Sequence, residues 1–312
     1  MRLVLTQPVL STDPNADNTA RMEQLLVSSA LELSADDIVV LPEHSSQHND
    51  WNLYQEQMCG LATRLGCHLI AGSIHARDAA HVVNRGLVAT PSGALLTQYE
   101  KLRPYFREQQ LVTPGDHFGE VDIAGKRFVI LICADFWFSD LFDRIRKTPD
   151  VVVVPSLSVT RKPTPDYSRE LWRHLAVARA YEFGVYIGIS DWDNGSTLGE
   201  LQTAGVAGFA DPTQLDPQQF FKSAPPGGVL AMDLDFDALA AFREDRRRRG
   251  FFWRPEQPEN LGVGLCAHCR HARSIQSSKG SQFYLCERHT TDPTFAKYPR
   301  LPMLNCDGFE SA

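Results

Sequence analysis

Residues 127–138 read RFVILICADFWF, a β-rich run that ends in Cys133 and is followed closely by an acid and three aromatic residues. The run has the β-branched and apolar composition of a buried strand. A short helical pattern, DLFDRIRK, comes next, and VVVVP from Val151 has the unbroken apolar character of a strand in a parallel sheet. The order strand, helix, strand predicts an α/β architecture.

The same alternation of strand and helix patterns extends over about the first 240 residues. Three segments have apolar residues at helical spacing. They are residues 15–33, 50–65 and 168–183. In the last of them, Leu171, Leu175, Ala178 and Phe183 lie along one side, which we expect to face the core.

Each half of this region closes with a predicted antiparallel hairpin. In the first half the TPSG turn at 90–93 joins two strands, and in the second half GVAGFADP and GGVLAMDL are expected to pair with each other. Because the two halves repeat one order of elements, we expect two sheets that pack face to face, with helices outside both. The predicted fold is a four-layer α-β-β-α sandwich.

Composition excludes several classes of protein. A chain of 312 residues with 43% hydrophobic content can bury a large core. The net charge of -7 argues against a general affinity for nucleic acid, and the basic run at 246–249 is expected to be the solvated end of a helix. No apolar run is long enough for a signal segment or a membrane span, so we expect a cytoplasmic protein without membrane contact.

Three polar residues follow predicted strands. Glu43 lies in DIVVLPEHS, Lys101 in LLTQYEKLRPYF and Cys133 in RFVILICADFWF. The carboxyl ends of strands in α/β sheets meet in the crevice where ligands bind, so these side chains are candidates for one site. Together they supply a base, a cation and a nucleophile, which thiol attack on a carbonyl or nitrile carbon requires.

In this order, the three segments resemble the nitrilase superfamily of carbon–nitrogen hydrolases, over roughly residues 1–255. The resemblance implies a catalytic triad of Glu43, Lys101 and Cys133, with a second carboxylate at Glu108. Glu43 would accept the thiol proton, and Lys101 would stabilise the oxyanion with the backbone N–H that follows the cysteine. The resemblance also implies amidase-like hydrolysis through a thioester, no cofactor for catalysis, and a homodimer or higher homo-oligomer.

The residues after the cysteine limit the substrate. Nitrile-cleaving members of the superfamily tend to have C-W-E at the nucleophile, whereas this chain has Cys133, Ala134 and Asp135, as in amide-cleaving branches. Many of its amidases carry an arginine four positions after the cysteine, where this chain has Trp137. We therefore expect a small amide substrate that contacts Ala134 and an apolar or stacking wall at Trp137.

The C-terminal part of the chain is a separate cysteine-rich region. Cys266, Cys269, Cys286 and Cys306 lie beyond a proline-rich connector, FFWRPEQPENLG. Four thiolates suit a tetrahedral structural zinc ion, which would hold together a segment too small to build its own core. The predicted organisation is a carbon–nitrogen hydrolase domain at 1–250, a linker at 251–261 and a zinc module at 262–312.

Several alternatives stay open at this point. The same triad could pass the acyl group to an amine, as an acyltransferase or amidotransferase does. The chain could instead be a non-catalytic binding protein that contacts a partner through its zinc module. A papain-like site would pair Cys133 with a histidine, for which the candidates are His44, His75 and His174. In the cysteine-rich region, the alternatives are a histidine in place of one sulfur, an iron–sulfur cluster, a redox thiol pair or free cysteines.

Overall fold

The computed structural model describes residues 1–13, 15–46, 48–78, 81–196, 198–253, 263–276, 282–303 and 305–310. The chain divides into two compact units, Met1–Trp253 and Arg254–Ala312. Among the described residues, no helix is long and apolar enough to cross a membrane.

The first unit alternates strands and helices, as the sequence pattern predicts. Its first half contains β1 (Arg2–Thr6), α1 (Asn18–Ser28), β2 (Asp37–Val40), α2 (Trp51–Leu65), β3 (His68–Ile70), β4 (Ile74–Asp78), β5 (His81–Ala89) and β6 (Leu95–Glu100). Its second half contains β7 (Gly119–Ile123), β8 (Lys126–Ile130), α3 (Asp140–Arg144), β9 (Val151–Pro155), β10 (Val159–Thr160), α4 (Asp166–Phe183), β11 (Tyr186–Ser190), β12 (Gln202–Thr203), β13 (Gly208–Ala210), β14 (Phe221–Ser223), β15 (Val229–Asp233) and α5 (Phe236–Arg248). The mixed α/β fold is therefore confirmed.

Local sequence explains where the helices begin and end. Asp50 caps the start of α2, because its carboxylate accepts hydrogen bonds from the backbone N–H groups of Asn52 and Leu53. Gly66 ends the same helix in the left-handed conformation, which glycine adopts without steric cost. Gly184 ends α4 in the same way. Both helices thus stop where the chain must turn back into a strand.

Two large sheets form the centre of the first unit. One has the strand order β15-β1-β2-β3-β5-β4, with β6 also paired to β5, and the other has the order β14-β13-β11-β9-β8-β7. Strands β1, β2 and β3 are parallel neighbours, as are β8, β9 and β11. Parallel neighbours place the carboxyl ends of their strands at one edge, where Glu43 and Cys133 follow β2 and β8.

Alternate residues of β1 show how the layers pack. Leu3 and Leu5 lie in the core that is shared with the second sheet, whereas Val4 packs with the buried residues of α1 and α2. The two sheets approach closely at Gly188, where an added Cβ would lie 2.5 Å from the Leu3 side chain. On the other side of the second sheet, α4 packs its buried residues into the same core. The layers therefore follow the order helix, sheet, sheet, helix.

The predicted pairing of GVAGFADP with GGVLAMDL is wrong. Strand β13, in the first of these segments, pairs with β11 and β14 in the second sheet. Strand β15, in the other segment, runs antiparallel to β1 and extends the first sheet. A hairpin pattern specifies alternating side chains but not the partner strand, and here β15 completes the open edge of the other sheet.

The buried face of α4 agrees with the predicted one only in part, since Phe183 is buried and Leu175 packs against the core. The buried residues are Trp172, Ala176, Ala180 and Phe183, whereas Leu171 is 41% exposed. Two alanines on the buried face let the helix lie close to the sheet, and the Trp172 ring stacks on Phe136 at a centroid distance of 6.0 Å.

The basic run at 246–249 is only partly the solvated helix end that its sequence predicts. Arg246 is 3% exposed, and its guanidinium lies 4.3 Å from the ring centroid of Tyr181 and 4.5 Å from that of Phe251. Cation–π contact with these rings explains how a cation is buried there. Arg248 and Arg249 are exposed and pair with Asp245.

The second unit contains one described hairpin, formed by β16 (Ala272–Gln276) and β17 (Gln282–Cys286). Two short 3-10 helices, Leu265–His268 and Glu287–Thr290, lie in the same unit. None of its described apolar side chains belongs to a buried core, and Phe283 is 49% exposed. Apolar burial therefore contributes little to the stability of this unit.

Candidate active site

Cys133 lies at the first residue of a 3-10 helix, Cys133–Trp137, and not at the end of β8 as its sequence context suggests. Its φ angle is +46°, a left-handed conformation that a residue with a Cβ rarely adopts. The surrounding structure must hold this strain, which is common at functional sites. The Sγ atom donates a hydrogen bond to the Leu157 carbonyl oxygen at 3.8 Å.

Glu43 lies in a turn that packs against the bend between β3 and β4. The sequence HLIAGSI predicts one continuous strand, but the chain bends at Gly72, which has a φ angle of +73°. A Cβ at Gly72 would lie 2.0 Å from the Pro42 carbonyl oxygen, so only glycine leaves room for the loop that carries Glu43. The Glu43 side chain is 2% exposed.

Lys101 directly follows β6, and its side chain is 3% exposed. The ammonium donates hydrogen bonds to Glu43 Oε1 at 2.7 Å and to Glu108 Oε2 at 2.6 Å. Burial alone would lower the pKa of Lys101, but the neighbouring carboxylates of Glu43 and Glu108 outweigh burial and hold the pKa above its ordinary value. Lys101 is therefore a permanent cation in the site.

Glu108 is the second carboxylate of this network. Besides the Lys101 ammonium, it accepts hydrogen bonds from Asn84 Nδ2 at 2.7 Å, the Tyr105 backbone N–H at 3.0 Å and His75 Nε2 at 3.1 Å. Burial raises the pKa of Glu108, but the His75 and Lys101 contacts outweigh burial and hold the pKa well below its usual range. Glu108 is thus ionised at neutral pH.

The Cys133 thiol interacts with both Glu43 and Lys101. Burial raises the pKa of Cys133 most, Glu43 raises it further, and Lys101 lowers it in part. The backbone of Leu157 links the groups directly, because its N–H donates to Glu43 Oε2 at 3.1 Å and its carbonyl accepts from the thiol. The structure therefore brings Glu43, Lys101, Glu108 and Cys133 together, with the resting thiol protonated and a carboxylate available as its base.

Residues 6–213 match the family of carbon–nitrogen hydrolases, a range that includes all four of these side chains. The chain belongs to the carbon–nitrogen hydrolase family. It is an enzyme for carbon–nitrogen bonds other than peptide bonds, which overturns the alternative of a non-catalytic binding protein.

Relatives of this carbon–nitrogen hydrolase include amidases. The chain is 25% identical to an omega-amidase of Xenopus tropicalis over 222 residues, which cover 66% of this chain and 76% of the relative. It is 22% identical to a 2-oxoglutaramate amidase of Bacillus subtilis over 222 residues, which cover 67% of this chain and 82% of the relative.

Solved structures share the fold of this hydrolase. A carbon–nitrogen hydrolase superfamily protein from Xanthomonas campestris superposes with a TM-score of 0.63 and 24% identity, over 80% of this chain and 94% of that one. A nitrilase superfamily member from Saccharomyces cerevisiae superposes with a TM-score of 0.65 and 20% identity, over 78% of this chain and 93% of that one.

The sequence analysis did not assign Asn84, His44 and His75 to the charged network of the hydrolase site. Asn84 is fully buried and donates to both Glu43 Oε1 at 2.8 Å and Glu108 Oε1, so it fixes the two carboxylates relative to each other. The signal was present, because Asn84 interrupts the apolar residues of β5. His44 and His75 contact each other edge to face at 4.3 Å beside these carboxylates.

The histidines do not form the papain-like alternative among the described residues. His44 Nε2 lies 3.9 Å from Glu43 Oε1, and burial lowers the pKa of His44 to about 4. His174 is exposed on α4, 3.8 Å from Glu170. The Cys133 thiol donates to a backbone carbonyl and not to a histidine in the described part of the chain.

A cavity of about 360 Å³ opens beside the Cys133 thiol of the hydrolase. Ala134 and Trp137, which the sequence predicts to contact substrate, both line this cavity. Leu171 and Trp172 of α4 complete the apolar wall. The exposed position of Leu171, which is unfavourable for a core residue, is thereby explained.

The four C-terminal cysteines are half-buried and form no disulfide. Burial, and then Cys269, Cys306 and Cys286, raise the pKa of Cys266, which places Cys266 near the other three cysteines. Among the described residues, two groups have three ligand atoms within 4.8 Å of one another, and the four cysteines do not form such a group. The two groups are His44, His75 and Glu108, and Glu100, Asp116 and His117.

Proposed function

We propose that this enzyme hydrolyses a small amide through a thioester on Cys133. The observation that carries the proposal is the buried network in which the Lys101 ammonium bridges Glu43 and Glu108 beside a strained cysteine. The Glu43 carboxylate can accept the thiol proton as the sulfur attacks, while the Lys101 cation lowers the pKa of Cys133 and so favours loss of that proton. The amidases among the relatives support the same reaction class.

In the proposed mechanism, Glu43 accepts the thiol proton as Cys133 Sγ attacks the amide carbon. Lys101 and the backbone N–H of Ala134 stabilise the oxyanion of the tetrahedral intermediate. The proton returns from Glu43 to the leaving nitrogen, the carbon–nitrogen bond breaks, and the thioester remains. Glu43 then activates a water molecule that attacks the thioester, which releases the acid and restores the thiol.

Hydrogen bonds from neighbouring residues fix the geometry of the catalytic groups. Asn84 and Lys101 hold Glu43 at one oxygen, and the Leu157 N–H holds the other oxygen. Glu108, ionised and fixed by its own hydrogen bonds, keeps the Lys101 ammonium in place during both half-reactions. Glu43, Glu108 and Lys101 therefore need little reorganisation when charge develops on the substrate.

Intact mass measurement tests the thioester directly. After rapid mixing with a panel of small primary amides and acid quenching, we expect an acyl adduct on Cys133 and release of ammonia. Absence of both, from protein that is folded by circular dichroism, would overturn the proposal. Product analysis with and without added hydroxylamine or a primary amine distinguishes hydrolysis from the acyltransferase alternative, because acyl transfer requires the amine for rapid turnover.

We also propose that residues 262–312 form a structural zinc module joined by a linker at 251–261 to a hydrolase domain at 1–250. The support is the proximity of Cys266 to the other three cysteines, which raise its pKa, in a unit whose described side chains form no buried core. Cys266, Cys269, Cys286 and Cys306 would supply four thiolates and leave no open position for catalysis. Elemental analysis is expected to give about one zinc per chain, and stoichiometric iron or no metal would contradict it.

We further propose a homodimer, which the resemblance to the nitrilase superfamily supports, and a cytoplasmic location, for which the sequence pattern is the ground. Multi-angle light scattering at micromolar concentration is expected to give twice the chain mass of 34.9 kDa, or a higher multiple. A single species at the chain mass would contradict the proposed assembly.

A further inference from the structure

The cavity beside Cys133 extends away from the charged network. Its described lining includes Cys133 and Ala134 but none of Glu43, Lys101 and Glu108. The side chains of these three charged residues are only 2%, 3% and 9% exposed, so the space on their side of the thiol is small. A substrate whose carbonyl carbon meets Sγ must therefore place its small end at the carboxylates and its large end in the cavity.

The walls of the cavity are apolar and aromatic. Trp137 is 40% exposed, and it contacts the buried Trp172 edge to face at a centroid distance of 5.4 Å. Trp172 in turn stacks on Phe136, which fixes the position of both indole rings. Leu171 and Phe138 line the remaining wall, and they are 41% and 42% exposed. The cavity therefore presents fixed apolar surface to whatever enters it.

Besides its apolar groups, the cavity lining includes the hydroxyl-bearing residues Tyr105, Ser158 and Ser168. Among the described lining residues none is charged. The hydroxyl of Ser158 donates to the buried Asp191 carboxylate, so it is not available to a substrate as a donor. Arg103, whose guanidinium lies 5.0 Å from the Phe138 ring centroid, is paired with Asp140 at 2.5 Å. A substrate carboxylate in this cavity would lose its hydration without gaining a cation from the lining.

We propose that the substrate is a primary amide with an apolar, ring-bearing acyl group, and that Trp137 and Leu171 select this group. The inference rests on the proposed function and names its substrate class. The acyl group occupies the cavity, and the nitrogen faces Glu43 and Glu108, where ammonia is a small enough leaving group. The net reaction takes one amide and one water to one carboxylic acid and one ammonia, through the Cys133 thioester.

The test compares amides that differ in one feature. The probes are 3-phenylpropanamide, its N-methyl derivative, pentanamide and glutaramate, of which the last two have similar length but differ by a carboxylate. We expect kcat/KM for 3-phenylpropanamide to exceed that for glutaramate by about 100-fold, because a hydrophobic pocket rejects an unpaired charge. The N-methyl derivative is expected to react about 100-fold more slowly than its parent, because the space at the carboxylates is small.

Variants connect this selectivity to the cavity wall. Leu171→Ala is expected to lower kcat/KM for 3-phenylpropanamide about 10-fold. Leu53→Ala is the matched control, because Leu53 is 42% exposed on α2 and does not line the cavity. Trp137→Arg places a cation at the wall and is expected to lower the ratio of kcat/KM for 3-phenylpropanamide to that for glutaramate about 100-fold.

Each outcome bears on a defined part of the proposal. A wild-type preference for glutaramate, or equal losses in Leu171→Ala and Leu53→Ala, would overturn the substrate class while ammonia release still supports the hydrolase. If Arg161→Ala abolished a preference for glutaramate, the carboxylate would be assigned to Arg161, which stacks on Phe106 outside the described lining. No ammonia and no acyl adduct from any probe would overturn the proposed hydrolysis itself.

Discussion

The charged network of the first unit and the cysteine group of the second unit differ in what holds them together. Glu43, Lys101 and Glu108 obtain their partners from the protein itself, through hydrogen bonds of 2.6 to 3.1 Å. The four cysteines have no disulfide partner and lie in a unit whose described apolar side chains form no core. The first region is thus held by contacts within the chain, whereas in the second region the proposed zinc ion would supply the missing stabilisation.

Loss of the Cys133 nucleophile is expected to have the largest effect on the activity of the first unit. Cys133→Ala is expected to lower kcat for ammonia release by at least about 10⁴-fold, because the thioester can no longer form. The side chain loses only its sulfur, so the midpoint of thermal unfolding should remain within a few degrees of wild type. Wild-type turnover by the folded variant would contradict the assignment of Cys133.

Loss of a proposed zinc ligand is expected to destabilise the second unit without affecting hydrolysis by the first unit. Cys286→Ser, or treatment with a strong chelator, is expected to raise the rate of protease cleavage within residues 263–310 about 10-fold or more, because a structural zinc stabilises folding. Ammonia release should stay within about two-fold of wild type, because a four-thiolate zinc has no open position for catalysis.

Cys59→Ser is the control for this prediction, since Cys59 is a half-buried free cysteine of α2 in the first unit. It should leave both the zinc content and the cleavage pattern unchanged. Parallel loss of zinc and hydrolysis in Cys286→Ser would show that the two regions are not independent.

His44 offers a smaller test of the charged network, through the pH dependence of stability. Burial lowers the pKa of His44 to about 4 from an ordinary value of 6.5. Between pH 6.5 and 4 the unfolded chain binds a proton that the folded chain does not, so the free energy of unfolding falls as the pH is lowered through this window. The full shift corresponds to about 3 kcal/mol. Because the ring remains 24% exposed, solvent screens it, and we expect about 2 kcal/mol.

His44→Asn should remove this contribution. Asparagine tolerates the φ angle of +54° at this position, so the turn should persist. Urea unfolding at pH 7 and pH 4.5 measures the change, and the variant should lose less stability than wild type on acidification. His174→Asn is the control, because His174 has a 76% exposed side chain. Equal losses in His44→Asn and wild type would contradict the prediction.

Sequence patterns predicted the types of element well because periodicity depends on local burial. The helical spacing of Met58 and Tyr54 in α2, for example, corresponds to their burial in the structure. The same patterns could not assign β15 to β1, because a strand pattern carries no information on which sheet edge is open. They also placed Leu171 on the buried face of α4 beside Phe183, although Leu171 lines the cavity and only Phe183 is buried.

Site residues that directly follow a strand could be predicted from the sequence. Site residues whose role depends on distant partners could not. Glu43, Lys101 and Cys133 stand in recognisable segments after strands, so their convergence could be expected. Asn84 and His75 lie within strands, where a polar residue has many possible roles until its neighbour is known. Their contacts with Glu108 arise only when β4, β5 and the 3-10 helix Phe106–Gln110 come together.

The pairing of β1 with β15 sets the order in which the first sheet can be completed during synthesis. Arg2 lies opposite Asp233, so nearly the whole first unit must leave the ribosome before this edge of β1 is covered. Until then, the strand exposes unpaired backbone groups that can pair with another chain. Contacts between such distant residues also form slowly. This edge of β1 is therefore open to pairing with other chains during most of the synthesis of the first unit.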